Sequence, residues 1–240
     1  MPLPKISTPT FELELPSTGK KIKYRPFLVR EEKILIMALE SEDLKQISDA
    51  IVQILSSCIL TKTVKVEDLS TFDIEYLFLN VRAKSVGETV EVNVTCPDDG
   101  ETPVKMEINI DDIKVQRVPE HSDIIKLDDK LSMKLRYPSL NQFVENNFEV
   151  SADTSDVDKS LSMISSCIEV VYDEEESWAA QDCTKKELEE FIEQLNTKQF
   201  KEIENFFTTM PKLSHTIEVE NPKTGVKSEV VLEGLASFFS

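Results

Sequence analysis

Phe11-Glu-Leu-Glu-Leu15 alternates apolar and polar residues, and Ile22-Lys-Tyr24 alternates again beyond Gly19-Lys-Lys21, which predicts an opening β-hairpin ended by Pro26. From Val29 to Leu39 the chain is rich in good helix formers. Leu44, Ile47, Ile51, Leu55, Cys58 and Ile59 then recur at three- and four-residue steps, the stripe of a second helix. Ser70-Thr-Phe-Asp73 carries hydroxyls placed to cap a third helix, from Phe72 to about Lys84, which Gly87 stops. Val90, Val92 and Val94 alternate into a strand, Cys96-Pro-Asp-Asp-Gly100 turns, and Val104, Met106, Ile108 and Ile110 alternate back as a second hairpin.

A similar order then runs again. Ile125-Lys-Leu127 and Leu131-Ser-Met-Lys-Leu135 flank a polar turn and lead to Arg136-Tyr-Pro138, echoing Tyr24-Arg-Pro26. Ser56-Ser-Cys-Ile59 recurs as Ser165-Ser-Cys-Ile168, and Asp68-Leu-Ser70 as Asp182-Cys-Thr184, where Thr184-Lys-Lys-Glu187 makes a capping box. Pro97-Asp-Asp-Gly100 recurs as Pro222-Lys-Thr-Gly225, between Thr216-Ile-Glu-Val219 and Glu229-Val-Val-Leu232, with an extra helix around Gln199 to Thr209 inserted before it. The expected class is α+β, in two similar halves that suggest an internal duplication, each a hairpin, about three helices and a hairpin. The halves are 1–115 and 123–240, joined by a polar, proline-containing connector at 116–122. Asn147 to Asp158, polar and acidic, is expected to be a loop.

Charge narrows the partners. The 240 residues hold 45 Asp and Glu against 27 Lys and Arg, a formal charge of -18, and such a field repels nucleic-acid backbones and anionic lipid surfaces. No run approaches the roughly 18 apolar residues of a membrane span, and Met1 to Thr10 lacks a signal-like apolar core. The four cysteines form no CxxC pair. Cys58 and Cys167 lie on apolar stripes, where buried, unreactive thiols in a reducing cytosol are expected.

Chemistry is sparse. His121 and His215 form no metal-binding spacing and read as surface residues. Cys183 precedes a capped helix but stands near Asp173-Glu-Glu-Glu176, the wrong field for a thiolate. Asp98 and Asp99 lack EF-hand spacing, so Pro97-Asp-Asp-Gly100 is turn chemistry. With 5 glycines there is no phosphate-cradling loop. No catalytic, cofactor or metal residue is expected. The alternative is a metal-dependent enzyme with a dispersed acidic site, for which the runs at Asp173–Glu176 and Glu187–Glu190 are weak candidates. What remains is protein-binding surface. Leu235, Phe238 and Phe239 fall on one face of a short helical turn, either docking back on the core or binding a partner, and Phe206-Phe207 and Trp178 carry the same two alternatives.

Leu3-Pro-Lys-Ile-Ser-Thr-Pro-Thr10, the block from Tyr24-Arg-Pro-Phe through Met37-Ala-Leu39, and that from Leu69-Ser-Thr-Phe-Asp through Lys84-Ser-Val-Gly87 resemble the baseplate hub and hub-assembly proteins of T-even-like contractile-tailed bacteriophages. The resemblance implies a late, non-catalytic protein, a chaperone or a hub subunit, that acts in the host cytoplasm or in the virion tail baseplate. Its partners would be other hub proteins, and no cofactor is implied. Relatives with a cysteine-rich turn would place it at Cys96–Gly100, where this chain has one cysteine.

Overall fold

In the computed structural model, which describes residues 6–41, 43–140, 142 and 156–238, Phe11–Glu14 (β1) and Lys21–Tyr24 (β2) pair antiparallel, Leu13 opposite Ile22. The alternation puts Leu13, Ile22 and Tyr24 inside. Three helices follow: Val29–Glu40 (α1), Leu44–Cys58 (α2) and Thr71–Ala83 (α3). Asp43 caps α2 through the Lys45 and Gln46 amides, and Ser70 caps α3 through the Asp73 amide. Asp73 is itself fully buried, its carboxylate taking the Ser17 amide at 2.9 Å and the Ser17 hydroxyl, so it ties the end of the hairpin to α3.

Thr89–Thr95 (β3) and Pro103–Asn109 (β4) form the second hairpin, and Lys114–Gln116 (β5) follows a 3-10 turn. The last two strands, Lys212–Glu220 (β10) and Lys227–Glu233 (β11), form another hairpin that joins β5 in a sheet of order β11-β10-β5. Inward residues of both hairpins, among them Val90, Val92, Ile108, Ile217, Val219 and Leu232, share one core with Leu79 of α3 and with Phe238. Gly100 and Gly225, with φ of 67° and 72°, occupy the left-handed turn positions of the two hairpins.

The stretch of sequence from β5 to β10 forms a sheet of its own, β6-β7-β8-β9, built from Ile124–Lys126, Ser132–Leu135, Ile168–Tyr172 and Ser177–Ala179. Helices Asp156–Cys167 (α4), Lys185–Glu193 (α5) and Thr197–Thr209 (α6) accompany it around a core that includes Met133, Leu135, Ile168, Ile203 and Phe206. Thr184 and Glu187 form the expected capping box of α5.

The α+β class is as expected. The compact units run 1–116 with 212–240, and 117–211, which differs from halves at 1–115 and 123–240. The first break falls at the start of the expected connector. The final hairpin, however, groups with the first unit, because Lys212–Ser214 pair with β5 and the inward side of β10 and β11 joins the core of β3 and β4. Residues 147–155 of the expected loop lie outside the described residues, and 156–158 open α4.

Local details recur between the halves. Arg25 donates its amide to the Cys58 carbonyl at 3.0 Å, and Arg136 to that of Cys167 at 2.8 Å. A 3-10 turn precedes the capping residue in each half, Val66–Asp68 before Ser70 and Ala180–Asp182 before Thr184. The Gly100 amide returns to the Cys96 carbonyl as that of Gly225 does to Asn221.

Candidate docking surface

A docking surface requires apolar side chains that the fold itself leaves uncovered. The chain end does not supply one at Phe238. Leu235–Phe238 form a 3-10 turn after β11, and the Phe238 ring is fully buried in the core of the two hairpins, the self-docking alternative. The side chains of Leu235 and Phe239 lie outside the described residues. Phe206 is likewise a core residue, Phe207 packs against that same core, and Trp178 on β9 is partly exposed.

Helix α1 is different. Its inner side holds Ala38 and Glu31, and it packs against α2. Its outer side exposes Val29 (81%), Met37 (60%), Ile36 (50%) and Leu39. Val29, Lys33, Ile36 and Glu40 step by four, three and four residues, so they line one face of the helix with Met37 beside them. The same sequence pattern that predicted a helix could not say which apolar residues would stay outside, because α1 is apolar on both sides.

The orientation of α1 is fixed by a carboxylate. Glu31 is buried and accepts the Leu28 amide at 2.8 Å, Arg25 Nη2 at 2.9 Å and Arg30 Nε at 2.7 Å. Burial alone would raise its pKa, but the hydrogen bonds from Arg25, Arg30 and the Leu28 amide outweigh it and hold the carboxyl at about 2. Charge-assisted bonds of this kind are strong because the acceptor is ionised and enclosed. Nothing in the sequence distinguishes Glu31 from Glu32 as the buried one.

The reactive candidates are accounted for by packing. Burial pushes the thiols of Cys58 and Cys167 up to about 11, and it raises that of Cys96 as well. Cys183 is half-buried, its Sγ donating to the Ala179 carbonyl at 3.6 Å. His121, expected at the surface, is instead half-buried. It stacks on Tyr137 with ring centroids 5.6 Å apart, touches Phe206, and bonds the hydroxyls of Thr209 and Tyr137 at 2.9 and 3.1 Å. Burial lowers its pKa. Two hydroxyl partners and an aromatic bed, rather than solvent, are what a tolerated histidine in a core finds. Asp98 and Asp99 serve their turn: Asp99 accepts the Glu101 and Thr102 amides, both at 3.0 Å. Among the described residues no group of three His, Cys, Asp or Glu side chains is placed to hold a metal ion, and no helix is long and apolar enough to cross a membrane.

Over residues 8–240 the chain matches the family described as T4 bacteriophage base plate protein, and it belongs to that family. It is thus a phage baseplate protein, with the structural role that membership supports. No curated protein and no solved structure gives a match.

Proposed function

We propose that the chain acts without catalysis in the assembly of the central baseplate hub, through contacts with other phage hub proteins formed in the host cytoplasm. The observation that carries this reading is the family match over nearly the whole chain. The resemblance of the blocks Tyr24–Leu39 and Leu69–Gly87 to hub proteins supports the hub reading, and these blocks coincide with β2–α1 and α3, so the resemblance lies on well-formed elements. A charge of -18 suits a holder that stays soluble on its own and covers a basic or adhesive patch on a client. The test is fractionation of infected-cell extract with detection of this chain. Co-sedimentation with hub intermediates is expected, and its presence in or absence from purified particles then separates subunit from chaperone. Sedimentation only as free protein throughout infection contradicts the proposal.

We also read the two halves as products of an internal duplication. The matched Arg25–Cys58 and Arg136–Cys167 bonds, 3-10 turns and hairpin tips support it. They align Arg25 with Arg136, so that Pro138 falls one residue later than Pro26. Superposition of the halves in a crystal structure is the check, and failure of Cys58 and Cys167 to coincide would end this reading.

A further inference from the structure

We propose that the outer face of α1 binds a second copy of this chain, the two helices running antiparallel about a twofold axis near Ile36 and Met37. The inference deepens the reading of the chain as an assembly protein, since it names one partner.

The argument is one of charge. On α5, Lys185 and Lys186 pair with Glu189 and Glu190, each four residues on, at 3.8 and 3.3 Å. Lys33 has Met37 at that place. Both Lys33 and Glu40 are exposed on the face that carries Val29 and Ile36, and among the described residues neither has an ion-pair partner. Seven residues separate them, about 10 Å along the helix, too far for a bond within one copy. In an antiparallel pair centred on Ile36 and Met37, Lys33 of each copy comes level with Glu40 of the other, giving two identical ion pairs around a centre of Ile36 and Met37. That is the self-complementarity an isologous contact requires. A parallel pair would set Lys33 against Lys33 and Glu40 against Glu40, and like charges so placed oppose association. The face of one 12-residue helix is smaller than the roughly 800 Å² per partner of a standard interface, so a dimer with a micromolar dissociation constant is expected.

Charge exchange tests this on the full chain. By sedimentation velocity the natural protein should dimerise at micromolar concentration. Lys33→Glu alone and Glu40→Lys alone should each weaken the dimer at least tenfold, while the double variant recovers it. Mixing the two single variants should give a heterodimer that neither forms by itself. Both positions are exposed, so thermal melting should be unchanged, which separates lost association from lost fold. A natural protein that is monomeric at about 100 µM overturns the proposal. So does a mixture of the single variants that stays monomeric, or a face that binds another baseplate protein with Lys33→Glu and Glu40→Lys failing to complement. Hub assembly could survive any of these results, so the failure of this inference is distinguishable from failure of the hub reading.

Discussion

The side-chain amide of Asn221 donates to both carboxylate oxygens of Asp98, at 2.9 and 3.0 Å, clasping the tips of two hairpins 123 residues apart in the chain. Thr224 adds its hydroxyl at 2.6 Å, and these bonds, that from Thr224 first, hold the Asp98 carboxyl below the usual carboxylate range. Asn221 is fully buried. Asn221→Ala is therefore expected to destabilise the chain by about 1–3 kcal/mol, the cost of losing bonds to a charged acceptor, in urea unfolding. Unchanged stability would mean that the clasp is ornamental.

The acid limb of stability follows from the depressed carboxylates. Glu31 titrates at about 2 in the folded chain, and an unfolded glutamate near 4.3. A lowered folded pKa means stability fully present above the unfolded value and lost as pH falls through the window toward 2. Glu31→Gln should flatten that limb. Glu31→Ala, which leaves the mostly buried Arg25 without its partner, is expected to cost about 3 kcal/mol at neutral pH.

At the chain end, Phe238→Ala should cost about 3–5 kcal/mol, because the ring is fully enclosed and the truncation leaves a cavity. Deleting residues 235–240 should lower the melting temperature at least as much. A truncated chain that melts like the full one contradicts the packing of Phe238.

Thiol labelling gives an independent check of the cores. In native protein a disulfide reagent should modify Cys183 first and leave Cys58, Cys96 and Cys167 protected, with all four reacting in denaturant. Rapid native labelling of Cys58 or Cys167 would refute their burial.

The elements bounded by strong local signals were legible in the chain: the hairpins turning at Gly19, Gly100 and Gly225, the helices capped by Ser70 and Thr184, and the extra helix ending at Thr209. Strand β8 was not. Ile168 continues the three- and four-residue spacing of α4, and no glycine or proline marks where Ile168-Glu-Val-Val-Tyr172 changes to a strand, so periodicity reads through the junction. The pairing of β10 with β5, which sends the last hairpin to the first unit, is a long-range choice that no local pattern encodes. For the candidate surface, α1 was visible and its exposed face was not. Exposure there depends on which side α2 covers and on the burial of Glu31, both properties of packing.

The most direct test of the central claim is electron microscopy of extracts from cells infected by a phage lacking this chain, with the chain resupplied as control. If the protein acts in hub assembly, complete baseplates should be missing and should return on resupply. Normal baseplates formed in its absence would contradict the account.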